Sequence, residues 1–238
     1  MPDTQRVRAD RILDTASDLL LRWGYRRIRI DEVARRAGVG KGTVYLHWRT
    51  REQMLGAVGS RETARMVDAV IEALRADPPV VMPSLLMRRI FVEAMGRPVL
   101  RAIYTQDVET VDALATDRSQ KAMEGANFVG WRDYLEIVHE HGLLRDELRP
   151  AEVHYPLTAT VFGFFAADPL LPDELDLSME EKADQLAGTL QRAFEPTRPP
   201  ARKHIEAAAE KVAILYAQVA EQFRTLTYRQ GGHDEPNR

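Results

Sequence analysis

The chain has no cysteine among its 238 residues. That excludes a disulfide framework, a thiolate metal site and a cysteine nucleophile. No apolar run approaches the roughly 20 residues needed to span a bilayer, so no membrane partner is expected. The opening Met1-Pro-Asp-Thr-Gln-Arg6 lacks the apolar core of a secretory signal, and the expected location is the cytoplasm. Alternating apolar and polar residues, the mark of half-buried strands, are missing throughout. Neither His-Glu-x-x-His nor Gly-x-Ser-x-Gly occurs, so no catalytic set, and hence no enzyme, is indicated. His139 and His141 stand two residues apart, on different faces of a helix; no metal or other cofactor is expected.

What is present begins with an ordinary globular composition, 45% hydrophobic. The length suits one small domain followed by a medium one. Net charge is −3, but it is unevenly spread: residues 1–50 hold 11 basic and 6 acidic groups, and the remainder 22 and 30. A basic head on an acidic body favours a polyanion at one end only.

Apolar positions at three- and four-residue spacing run almost the whole length, which predicts an all-α protein of about ten helices. Ile12, Ala16, Leu19 and Leu20 form one face of a helix over 5–23, capped by Asp3 or Thr4 and stopped at Gly24. Short helices follow over 31–37, with Val33, Ala34 and Ala37 inward, and over 41–47, with Val44 inward. Gly38 supplies the positive φ between them. Thr50-Arg-Glu-Gln53 is a capping box opening a fourth helix, which Asp77-Pro-Pro79 ends. Later helices are predicted near 84–95, 98–105, 118–141, 150–166, 178–194 and 201–229. Pro98 and Pro150 suit first turns and Gly142 a C-terminal cap. Ser178-Met-Glu-Glu181 is a second capping box. Pro156 predicts a kink or a later start for its helix. The expected division is a head over 1–50, a body over 51–229 that includes an extra helix over 201–229, and a disordered tail over 230–238. The extra helix, with Ile205, Ala208, Val212, Leu215, Val219 and Leu226 on one stripe, is expected to pack on its own body or across a dimer interface.

Two short helices around a glycine turn, in a basic head, fit a helix-turn-helix. Its second helix enters the major groove while the first lies across the backbone. Here Lys41, Gly42, Thr43, Tyr45 and His47 can face out, with Val44 and Trp48 anchored inward. Gly42 removes bulk where DNA approaches, Lys41 can reach a phosphate or a guanine edge, and Thr43 offers a hydroxyl and a methyl. Tyr45 and His47 are candidate phosphate donors. Gly38-Val-Gly40-Lys-Gly42-Thr43 superficially suggests a phosphate loop, but Gly42 stands where such a loop needs Ser or Thr, and its flanks are helical.

At these residues the chain resembles the TetR family of bacterial transcriptional regulators. The resemblance rests on Gly24-Tyr25, Glu32-Val33-Ala34, Ala37-Gly-Val-Gly-Lys-Gly-Thr-Val-Tyr-Leu-His-Trp48, and Arg51-Glu52 followed by Leu55. It covers about 11–55. Gly40 stands where the family has serine, Arg29 where it has a Thr or Ser cap, and Trp48 where it has phenylalanine. The departure at Arg29 suggests an arginine–phosphate contact, and Arg51 joins the expected DNA-binding set. The resemblance further implies a homodimer on a palindromic operator in double-stranded DNA, repression as the default, and dimerisation through the helices near 150–166 and 178–194. Val161, Phe162, Phe164 and Phe165 give the first of these more apolar surface than one face needs. A ligand pocket is implied within the body. Met87, Phe91, Met95, Ile103, Tyr104, Phe128, Trp131 and Tyr134 are its candidate lining, and an apolar or aromatic effector its expected occupant. The same residues at the same spacing also suit an ordinary core. The alternative is a DNA-binding regulator controlled by a protein partner, without a small ligand.

Overall fold

The computed structural model describes residues 3–105, 130–167 and 177–228. Among them every regular element is helical. Helix α1 (Asp3–Trp23) buries Ala9, Ile12, Leu13, Ala16, Leu19 and Leu20 on one face. It starts at Asp3 itself, ahead of the expected caps. A 3₁₀ turn (Tyr25–Arg27) leads to α2 (Ile30–Arg36) and α3 (Lys41–His47). Between them Val39 N–H donates to the Ala34 carbonyl (3.0 Å) and Gly38 N–H to Arg35 (3.3 Å), with Gly38 at φ +63°. This is a six-to-one helix end, and its left-handed residue is best taken by glycine.

Helix α4 (Arg51–Ala76) opens with the Thr50 hydroxyl accepting from Gln53 N–H at 3.1 Å. The Gln53 side chain returns to Arg49 N–H instead of to Thr50. A 3₁₀ turn (Pro78–Val81), α5 (Pro83–Met95) and α6 (Pro98–Thr105) follow, and both α-helices begin on proline. Helix α7 is described over 130–140 and closes on Gly142 at φ +69°. Then come α8 (Pro150–Ala166), α9 (Met179–Phe194) and α10 (Arg202–Tyr228). Helix α8 starts at Pro150, not beyond Pro156. The Glu152 carboxylate accepts from Arg149 N–H (3.2 Å) at its first turn, and Pro156 is carried within the helix. Ser178 and Glu181 cap α9 reciprocally, at 3.3 Å for Glu181 N–H to the hydroxyl and 2.9 Å for Ser178 N–H to the carboxylate.

Two principal cores result. The smaller joins α1, α2 and α3 to the first turns of α4 through Met54, Leu55, Ala57 and Val58, so the head's core runs past residue 50; Val99 of α6 completes it. The larger lies among α4, α5, α6, α7, α8, α9 and α10. Ile103 of α6 packs against both. It crosses α4 at Gly59, where a Cβ would stand 3.3 Å from Ile103 Cδ1. Helix α10 lies along α4 with Ala208, Ala209, Val212, Val219 and Phe223 buried, so its stripe packs on its own chain. The tail expected over 230–238, the first part of the helix expected over 118–141, and Phe128 lie outside the described residues.

Candidate nucleic-acid interface

Helix α3 is seven residues long, and its periodicity decides what it can offer. Val44, His47 and Trp48 face the head's core. Lys41, Gly42, Tyr45 and Leu46 are exposed, and Thr43 is half-buried. Nothing stands within 4 Å of a Cβ placed on Gly42, so the protein itself does not require glycine there. Lys41 Nζ meets Asp31 Oδ1 at 2.7 Å with both side chains open to water, and the carboxylate raises the lysine's pKa. An exposed pair of this kind is cheaply exchanged for a phosphate.

The surrounding surface is basic. Arg26, Arg27, Arg29, Arg35, Arg36 and Arg49 are all exposed. Glu32 is held between Arg35 (2.6 Å) and Arg36 (2.5 Å), and their hydrogen bonds bring its pKa down to about 2. It therefore stays ionised, and it pairs part of the local positive charge. The Arg36 guanidinium lies 4.7 Å over the Trp23 ring. Arg29 precedes α2 without making a side-chain cap, and Gly40 does the same before α3. The side chain of Arg29 is open to solvent.

Two expected contacts sit differently. His47 is 6% exposed, with its ring 5.3 Å from Trp48. Burial, with Arg8 nearby, lowers its pKa and keeps it neutral at pH 7. The reason is geometric: position 47 is three residues after the inward Val44, and i,i+3 neighbours share a helix face. Arg51 is turned back into the head. Its Nε donates to the Ile28 carbonyl at 2.8 Å and its Nη2 to the Tyr25 carbonyl, and the guanidinium sits 4.3 Å over the Tyr25 ring. It ties the 25–28 connection to α4. Conversely, Leu46 was not among the expected contacts, yet it is 73% exposed beside Gly42, one turn away.

Sequence reasoning also missed Arg61. Its side chain is buried between α4 and α1, 2.8 Å from Asp14 and 3.8 Å from Asp10. The signal was legible, because Arg61 falls on the stripe of Met54 and Val58, and a charge at a core position needs partners.

In the body, Met87, Phe91, Met95 and Tyr134 are buried in the larger core, and Ile103, Tyr104 and Trp131 pack against it. Tyr104 stacks on Phe165 at 4.7 Å, Phe91 meets the same ring at 5.0 Å, and Trp131 meets Tyr134 edge-on at 6.4 Å. The Tyr134 hydroxyl donates to the Val81 carbonyl at 3.0 Å. Desolvation raises the pKa of both Tyr104 and Tyr134, so both stay neutral. A groove of about 380 Å³ lies elsewhere, between Leu74, Arg75 and Pro78 on one side and Glu206, Ala209 and Ala213 on the other. Helix α8 buries Val153, Leu157, Val161 and Phe165 and leaves Tyr155 and Phe162 80% and 61% exposed. No described helix is long and apolar enough to cross a membrane, and the described residues form no cluster of metal-ligating side chains.

Residues 12–58 match the family model of the bacterial regulatory proteins of the tetR family. The HTH-type transcriptional regulator AlkX of Mycobacterium tuberculosis is 30% identical over 98 residues, 40% of this chain and 46% of that one. The chain thus matches a little under half the length of this relative. The fold is similar to that of SmeT in its triclosan complex, with TM-score 0.58 and 21% identity over 82% of this chain and 96% of that one. It is also similar to FadR of Bacillus subtilis in complex with stearoyl-CoA, with TM-score 0.55 and 15% identity over 76% and 96%. These last two likenesses concern the fold. The chain thus joins a head similar to the helix-turn-helix of bacterial tetR-family regulatory proteins to an all-helical body whose fold is similar to theirs. The family match lies in residues 12–58, the stretch that runs from α1 through α2 and α3 into the first turns of α4.

Proposed function

We propose that this protein is a sequence-specific repressor that binds a palindromic operator as a homodimer and is released by an apolar or aromatic small molecule. One observation carries the DNA-binding part. Helix α3 presents Lys41, Gly42, Thr43 and Tyr45 outward from a head whose core is complete without them. Lys41 supplies charge to a phosphate or a guanine edge, and bare Gly42 lets the duplex approach. Arg29, on the same basic surface, holds a backbone phosphate. His47 and Arg51 act from inside the head, as an anchor and a tie.

A single short helix reads few bases, and a symmetric pair doubles the contacts. The exposed Tyr155 and Phe162 of α8 supply apolar surface for that pairing, beside α9. Control by a ligand draws on the aromatic cluster of α5, α6, α7 and α8, and on α6, whose Val99 belongs to the head's core while Leu100 belongs to the body's. A molecule wedged beside Tyr104 displaces α6 against both. It shifts the population only if it binds the DNA-incompetent arrangement more tightly. Triclosan in SmeT has the chemistry expected of such an occupant, whereas stearoyl-CoA in FadR has it only in its acyl chain, its coenzyme A portion being strongly anionic. The close packing of Met87 and Phe91 favours the second reading, control by a protein partner without a small ligand.

The test is selection of bound sequences from random duplex DNA at physiological salt. A consensus of two inverted half-sites about one helical turn apart is the expected result, and recovery of no consensus overturns the proposal. Screening apolar compounds for loss of that complex then separates the two modes of control.

A further inference from the structure

The far end of the chain closes on the head. Trp48, which ends the recognition helix, donates its indole N–H to the Thr227 carbonyl of α10 at 3.3 Å. The next residue, Tyr228, donates its hydroxyl to Asp10 of α1 at 2.6 Å. Arg6, one turn earlier on α1, lies 5.0 Å over the Tyr228 ring. Asp10 is also a head-side neighbour of the buried Arg61 of α4, at 3.8 Å, beyond Asp14 at 2.8 Å. Arg224, one turn before Tyr228, pairs with Asp68 at 2.5 Å and fastens the same end of α10 to α4.

We propose that α10 is a positioning strut, which holds α1 and the C-terminal end of the recognition helix at one fixed angle to the body. This rests on the DNA-binding reading above. Packing of α10 on α4 needs only its apolar stripe; the bonds at 227 and 228 reach past α4, one to each of two separate head elements. A head attached through α4 and α6 alone is free to pivot about those attachments. Two pivoting heads must lose that freedom to seat on both half-sites, whereas strutted heads are already oriented. The strut therefore matters for the palindrome and not for a half-site read by one head.

The absence of cysteine permits a direct test. Spin labels at Arg22→Cys, on the head, and Gln191→Cys, on α9, both at exposed positions, report the head–body distance. Dilution with unlabelled protein restricts the signal to pairs within one chain. Tyr228→Phe removes only the hydroxyl, and Tyr228→Ala also removes the seat of Arg6. The expected result is a distance distribution broadened in the order wild type, Phe, Ala. Palindrome affinity falls with it, roughly threefold for Phe and tenfold for Ala, while affinity for a duplex with one half-site changes less than about twofold. An unchanged distance distribution overturns the strut. So does equal loss on palindrome and half-site, which marks local damage to the head, and so does tighter palindrome binding, which marks a restraint opposed to DNA. Broadened distances in a protein that prefers no sequence support the strut and overturn the regulator reading.

Discussion

The head and the body divide their labour between residues in opposite ways. In the head, the side chains that fold it and those proposed to meet DNA are largely different. Ile12, Leu19, Val33, Val44 and Trp48 are buried, whereas Lys41, Gly42 and Tyr45 are exposed and bear no part of the core. In the body, the residues suited to line a ligand site are the ones that hold the core: Met87, Phe91 and Tyr134 are fully buried, and Tyr104 stacks on Phe165. A reading surface can thus be altered without cost to the fold. An apolar sensing site cannot, because the contacts that would bind a ligand are those that exclude water in its absence.

Substitutions can break that comparison. The largest effect is expected at Phe91→Ala, which should cost about 3–5 kcal/mol of unfolding free energy, read by denaturant titration; a loss below about 1 kcal/mol would mean that Phe91 borders empty space. Phe162→Glu places a charge on the exposed apolar face of α8. It should weaken self-association roughly a hundredfold by analytical ultracentrifugation without lowering the stability of the folded chain. Gly42→Ala should weaken operator binding roughly tenfold or more, while the fold keeps its stability or gains up to about 1 kcal/mol. Operator affinity that survives this substitution removes Gly42 from the interface. Arg51→Lys keeps the charge but loses the fork to Tyr25 and Ile28. It should cost about 1–2 kcal/mol of stability, and unchanged stability would return Arg51 to the DNA-contact set. The smallest effect concerns pH. The folded pKa of His47 lies below its unfolded value, so the unfolded chain takes up the proton first as pH falls below the ordinary histidine range near 6.5. Stability contributed by neutral His47 is complete above that range and lost beneath it. His47→Gln should flatten the decline in stability between about pH 7 and pH 5; an unchanged slope would assign the decline to other groups, such as His141, whose pKa burial also lowers.

The helices were legible because they rest on local signals. The spacing of Ile12, Ala16 and Leu19, the caps at Thr50 and Ser178, and Gly38 and Gly142 place helix ends within a residue or two of those observed. Less legible were side chains whose direction depends on distant partners. His47 turns inward because a seven-residue helix buries more than one residue per turn. Arg51 turns inward because the carbonyls of Tyr25 and Ile28, 26 and 23 residues away, need donors. The end of α10 was unreadable for the same reason: its stripe predicts packing, but the bonds from Thr227 to Trp48 and from Tyr228 to Asp10 span 179 and 218 residues. Local pattern carries helices and caps; it does not carry polar contacts between the ends of a chain.

The most direct test of the central claim, that the exposed face of α3 reads DNA sequence, is the ratio of two equilibrium affinities at physiological salt. One is for the selected palindrome and the other for a shuffled duplex of the same composition. A sequence-reading dimer predicts a ratio of at least about 10³. A ratio near one would contradict it and leave only a basic head that binds any duplex.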